Sequence, residues 1–301
     1  MAETRGLRAQ DLPIAGDRRL TTDLDLPAWS EPFAAGHREA LVRLPPIGQL
    51  DRAWAWGGAD GSGVRVAIVD SGVERGHPSV GGRLVESVRV ELVDDEARVV
   101  ADPDGVDVVG HGTACAGVIH ALAPGAELVS VRVLGPENRG KGPVFAAGLA
   151  WAIEHGASVV NLSLSSKSDA LYGLFHELAD EAYFANVLLV SAANNVPGPS
   201  YPSLFASVVS VAAHDVPDPW TFFYNPRPPV EFGAYGLDVP VAWKDGGRIV
   251  ATGNSFAAPH IAGIATLIRS KHPGATPFEV KTILAATAND PLATGVRVGD
   301  Q

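Results

Sequence analysis

Apolar positions recur along this chain in two alternating periods. The run VRVAIV at 64–69 is β-branched and nearly continuous, the pattern of a strand buried on both faces. The signature returns at 127–134 (ELVSVRVL), 159–164 (VVNLSL), 187–191 and 208–213. Helical spacing fills the gaps at 114–121, at 144–155 (VFAAGLAWAIEH, stopping at Gly156) and at 171–185. Residues 256–271 are apolar nearly all round and predict a helix buried on every side. A last helix at 276–286 opens on Thr-Pro, and a short helix at 50–56 and a turn at Asp60-Gly61-Ser62-Gly63 precede the first strand. Strands alternating with helices predict an α/β fold, a mostly parallel central sheet with helices on both faces. Sites in such sheets gather at the carboxyl ends of strands. The pattern fits one domain over 45–301, preceded at 1–44 by an extension rich in Asp, Glu, Arg and Pro.

Composition narrows the function classes. With 301 residues, 46% hydrophobic, the chain has ample material for a core. Its 34 acidic against 23 basic side chains, a net charge of −11, argue against a nucleic-acid surface. The same balance fits either solubility or basic substrates. The single cysteine, Cys115, suits a reducing compartment. The first thirty residues hold no apolar run of the secretory-signal kind, and no stretch approaches the roughly 18 apolar residues of a membrane span. A cytoplasmic protein with no membrane contact is the expectation. The glycines between Gly58 and Gly63 precede a strand, the reverse of a nucleotide-binding loop. The sequon Asn161-Leu162-Ser163 falls in a core strand.

Three segments carry candidate chemistry, and each has a plainer alternative. In VAIVDSGVERGHP, Asp70 follows four apolar residues and ends a buried strand, yet Asp-Ser-Gly is also ordinary turn chemistry. In GHGTACAG, His111 opens a helix of small residues as a candidate base; with Cys115 it also has the i, i+4 spacing of a metal pair, although no second pair accompanies it. In GNSFAAPHIAG, Ser255 heads the buried helix, either as a cap or as a hydroxyl whose oxyanion the helix terminus would stabilise. Pro259 falls early in that helix, where a missing N–H costs little. The chain order Asp, His, Ser is one of three known for such triads.

The chain resembles the subtilases in VAIVDSGV, GHGTACAG and GNSFAAPHIAG, and also in VVNLSLS and in LLVSAANN followed by YPSLFASVVSVAA. The likeness runs from about residue 50 to about residue 289. It implies a subtilisin-like three-layer fold and a serine endopeptidase acting on peptide or protein substrates, with no cofactor. Ser255 would be the nucleophile, His111 the general base and Asp70 the acid that orients it. Asn195 would donate its side-chain amide to the oxyanion, with Asn194 its nearest rival and loop capping the alternative. Peptide would add as a strand between Ser163, Leu164 and Ser165 on one side and the loop Asn138, Arg139 and Gly140 on the other; Leu164 reads equally as core. A catalytically weak peptide-binding domain is the alternative reading, and other acyl transfer on the same triad is a third.

Departures from the family pattern sharpen the expectations. Asn254 stands where the family has Thr, and it can hydrogen-bond locally. Asn194 replaces a glycine, as a residue that tolerates left-handed backbone. A shortened loop after His111 implies no calcium at that position, and no metal is expected. The short segment 196–200 leaves the pocket before the cleaved bond open. Cys115 is either sensitive to thiol reagents or a small buried hydrophobe. The extension, with LPPIG at 44–48, is read as covering the cleft until removed or as a permanent strap. A dedicated precursor-processing role fits the trimmed loops, and nothing in the sequence sets the oligomeric state.

Overall fold

The computed structural model describes residues 49–227 and 229–290, and the extension at 1–44 and LPPIG lie outside them. Its elements are α1 (Arg52–Trp56), β1 (Arg65–Asp70), β2 (Leu84–Val93), β3 (Glu96–Ala101), α2 (His111–Leu122), β4 (Glu127–Arg132), α3 (Gly142–Glu154), β5 (Val159–Leu162) and α4 (Tyr172–Phe184). There follow β6 (Leu188–Ala192), β7 (Val209–His214), β8 (Phe222–Tyr224), β9 (Phe232–Tyr235), β10 (Val239–Trp243), β11 (Gly247–Ala251), α5 (Asn254–Lys271) and α6 (Pro277–Thr287).

Nine strands form one sheet in the order β3-β2-β4-β1-β5-β6-β7-β9-β8. The pairings are parallel except at the ends, where β3 runs antiparallel to β2 and β8 to β9. A separate hairpin joins β10 to β11. The expectation of a mostly parallel sheet between helical layers holds. Strand β1 pairs with β4 on one side and β5 on the other. The chain therefore crosses over β1 between those two strands, and this reversal leaves a crevice at the carboxyl end of β1.

Strand parity decides what faces that crevice. Ala67, Val69, Val160, Leu162 and Leu189 belong to the core under α3 and α4, with Leu149 and Phe175. Successive side chains alternate between faces. Asp70 of β1 and Asn161 of β5 therefore point to the opposite face, where α2 and α5 pack against each other and the sheet. Helix α5 is buried from Phe256 to Arg269, as its all-round apolar pattern predicts. Its buried His260 donates Nδ1–H to Phe256 O at 2.9 Å, and burial pulls the imidazole down to about 4, so it packs as a neutral ring.

Two expectations shift at element ends. The predicted strand 159–164 stops at Leu162, which frees Ser163, Leu164 and Ser165 from the ladder. Helices α2 and α5 begin earlier than their apolar periodicity, at His111 and Asn254, because the small polar residues there form the first turn.

The α2–α5 contact depends on Gly263. A side-chain carbon added there would lie 2.8 Å from Leu122 Cδ1 and 3.0 Å from Leu122 Cβ, and the latter cannot swing away. Gly263→Ala should therefore cost about 1–3 kcal/mol of stability by overpacking. Urea unfolding followed by tryptophan fluorescence measures it, and no loss would mean that the two helices part easily.

Candidate active site

Asp70 lies at the carboxyl end of β1 with 0% exposure, so its carboxylate must find donors inside the protein. His111 Nδ1 lies 2.9 Å from both Asp70 oxygens, and the Ser71 N–H donates to Oδ1 at 2.7 Å. An ionised carboxylate only accepts, so Nδ1 carries the proton and Nε2 is left as the basic nitrogen. Burial disfavours the charged imidazolium. The Asp70 charge and hydrogen bond, with Asp107 behind them, outweigh it and hold His111 above its ordinary value.

His111 is the first residue of α2, capped by Gly110 at φ 114°. A side chain at Gly110 would also meet the Trp243 ring at 2.6 Å, so this turn requires glycine twice over. The turn is held from below by a residue that the sequence reading passed over. Asp107, 7% exposed, accepts five hydrogen bonds. Ser71 Oγ (2.8 Å) and the N–H groups of Val109 (3.0 Å) and Gly110 (2.7 Å) meet Oδ1, while Thr113 gives its N–H (2.8 Å) and hydroxyl (2.6 Å) to Oδ2. Ser71 Oγ in turn accepts from Gly112 N at 3.1 Å. Asp107 thus ties the start of α2 to the residue following Asp70. Its position just ahead of a helix start is the sequence signal that could have revealed it.

Ser255 is the second residue of α5 and is partly exposed. Asn254 N donates to Asn195 Oδ1 at 2.8 Å, which orients that amide, and its NH2 makes no hydrogen bond among the described residues. The point where a Gly253 side chain would begin lies 3.4 Å from Ser255 Oγ and 3.5 Å from Asn195 Nδ2. Asn194 turns elsewhere, accepting from Val196 N at 3.3 Å. It does not have positive φ, so the reading of it as a left-handed glycine substitute is corrected. Neither Ser255 N nor Ser255 Oγ makes a hydrogen bond among the described residues, and the latter includes none to His111. The His111 and Phe256 rings stand 5.2 Å apart, which puts the imidazole beside the head of α5.

Two further expectations change. Asn254 does not bond locally: its Oδ1 accepts from Ala213 N (2.8 Å), and its Nδ2 donates to Ala193 O (3.1 Å) and Asn194 O (3.2 Å). It stitches the serine turn to the ends of β6 and β7. Pro259 is the sixth residue of α5, beyond the first turn, so its missing N–H deprives Ser255 O of its helical donor. Ser163 Oγ donates to that carbonyl at 2.8 Å and accepts from Asn161 Nδ2 at 2.9 Å. The Ser163 side chain is therefore spent on the Ser255 backbone and on Asn161.

Cys115 is fully buried, with Sγ 3.3 Å from Ser163 Oγ, 3.6 Å from Ser255 O and 3.9 Å from Asp70 Oδ2. Asp70, His111 and Cys115 present ligand atoms within 4.8 Å of one another, the spacing of a metal trio. Ligation would require the thiolate, and burial followed by the Asp70 charge pushes this thiol well above its usual range.

A groove of about 430 Å³ runs from Ser255 and Asn195 past Ser163, Leu164 and Ser165 to Gly140. Leu164 lines the groove and also packs against the core. Gly140 sits where a side chain would strike Val133 O at 2.5 Å. No helix among the described residues is long and apolar enough to cross a membrane.

The chain is similar to several known proteins. The chain is 33% identical to subtilisin BL of Lederbergia lenta over 242 residues, 77% of this chain and 85% of that protein. It is 30% identical to thermitase of Thermoactinomyces vulgaris over 253 residues, 80% and 86% respectively. With the thermostable alkaline protease of Halalkalibacterium halodurans the identity is 31% over 242 residues, and the match spans only 63% of that longer protein. A solved structure of a cold adapted subtilisin-like serine proteinase superposes with a TM-score of 0.65 at 27% identity, covering 80% of this chain and 89% of the other. The subtilase family profile matches residues 61–299. By sequence and by fold, the chain belongs to the subtilase family of serine endopeptidases.

Proposed function

We propose that this chain cleaves peptide bonds with Ser255 as nucleophile, His111 as general base and Asp70 as the residue that orients and charges the base. One observation carries the reading. An Asp70–His111 pair, its one Nδ1–H shared between both carboxylate oxygens, stands at the head of α5, where Ser255 Oγ is flanked by two donors with no partner among the described residues, its own N–H and Asn195 Nδ2. Attack forms the Oγ–carbon bond as the hydroxyl proton passes to His111 Nε2. The oxygen that gains charge meets the two donors, which need no reorganisation. Collapse breaks the carbon–nitrogen bond, and His111 returns its proton to the leaving amine. Water then repeats the cycle on the acyl ester. An open hydroxyl–imidazole distance before substrate binds is common in such enzymes.

Substrate would lie in the groove as an added strand, since the backbone of Leu164 and Ser165 has no ladder partner among the described residues. The finer readings rest on less. A precursor-processing role is supported by the short segment 196–200, and a cytoplasmic site by the single cysteine, buried and unpaired.

Incubation with a mixed peptide library, alongside labelling by a fluorophosphonate, tests the assignment. Wild type should cleave and take one label on Ser255, and Ser255→Ala should do neither. Binding without cleavage by both would make the domain a peptide binder. Asn195→Ala should lower kcat by about 10²–10³-fold, the cost of removing one such donor in a subtilisin, with KM nearly unchanged. A change confined to KM would remove Asn195 from the oxyanion site.

The raised His111 value sets the pH profile. The base must be neutral, so activity is lost as pH falls through that value, and the acid limb of kcat/KM should lie above about 6.5. Asp107→Asn removes one of the charges that raise it, so the limb should move to lower pH. A purely structural Asp107 would lower the rate and leave the limb where it was.

A further inference from the structure

We propose that the groove selects peptides with an acidic side chain, through Arg139 and Lys141. This rests on the groove being the substrate site and concerns which substrates it prefers.

The bare charge balance, −11 over the chain, points the other way, towards basic partners. Net charge acts at long range, however, and salt screens it beyond about 8 Å under physiological conditions. Charge inside the groove decides the preference. Its lining includes Arg139 and Lys141 and no Asp or Glu. Both side chains are exposed, and neither has an ion-pair partner among the described residues.

The backbone fixes where these charges stand. Gly135 N donates to Arg139 O at 2.9 Å and Asn138 N to Gly135 O at 2.9 Å, which closes the loop into a bonded turn. Gly140 faces the sheet, its absent side chain directed at Val133 O. Arg139 and Lys141 flank Gly140 in sequence, and all three line the groove.

The start of α3 adds to the same field. Lys141 is its N-cap but supplies no side-chain acceptor, and Pro143 lies in the first turn. The N–H of Gly142, at the groove wall, makes no hydrogen bond among the described residues. A helix start with free N–H groups carries partial positive charge. Two cations and an uncapped helix end therefore line one side of the groove, and neither cation has an ion-pair partner among the described residues. A carboxylate on the peptide is the substrate group that would pair with them.

A fluorescein-labelled positional peptide library, with Glu, Gln or Lys fixed at one position at a time, tests this by anisotropy against the Ser255→Ala variant. At one or two neighbouring positions, Glu pools should bind about threefold to tenfold more tightly than Gln pools, and Lys pools more weakly than either. The difference should shrink as salt rises from 50 to 500 mM, vanish in Arg139→Gln/Lys141→Gln and invert in Arg139→Glu/Lys141→Glu. Equal affinity for Glu and Gln at every position, or a preference that survives the double substitutions, would overturn the proposal. Because the readout is binding, failure of wild type to cleave would count against the proteolytic reading alone.

Discussion

A carboxylate buried at the end of a parallel strand organises this molecule. Asp70 cannot be hydrated where it lies, and an unpaired charge there would cost several kcal/mol. Its demand for donors draws the start of α2 against β1, and His111 is the group that answers it. The approach is close enough that a side chain at Gly112 would strike Gly72 O at 2.0 Å. Asp107 then makes the loop ahead of α2 rigid by taking up the free N–H groups of the turn. Two buried acids, Asp70 and Asp107, thus take up the donors of one short stretch from Val109 to Thr113.

On the facing side, the decisive constraint is an absent donor. A proline inside α5 leaves a carbonyl without its helical partner, and that carbonyl belongs to Ser255. Ser163 supplies the missing bond from the end of β5 and is itself held by Asn161. The head of α5 is therefore positioned from the sheet on two sides, by Ser163 below and by Asn254 and Asn195 towards β6 and β7. A large apolar helix thus opens on two polar residues, Asn254 and Ser255, and Asn254 is bonded through both its backbone and its side chain.

Much of this was legible in the residues, for a reason that varies from site to site. Asp70, His111 and Ser255 each sit in a local pattern, a strand end or a helix start, that sequence reading detects. Asn195 and Asn194 have the same side chain, and only the orientation imposed by Asn254 N distinguishes them. The bond from Ser163 answers a proline far later in the chain, so no local pattern could disclose it. The hairpin β2–β3 escaped notice because its turn uses Asp94 and Asp95 at φ 52° and 63° in place of the usual glycine pair. The hairpin β10–β11 does carry the Asp245-Gly246 turn signal, but Pro240 inside the run obscured the strand.

The two ends of the sheet bear on how the protein behaves in a crowded solution. At one margin, β3 presents Glu96 and Arg98, with Asp94 and Asp95 at the turn. At the other, β8 is only three residues long. Short or charged margins resist templated stacking of one copy on the next. The stretch after β5, by contrast, leaves the ladder inside a recess and not at a margin of the sheet. Unpaired backbone is thereby kept away from the outer rims, where it would seed fibril growth.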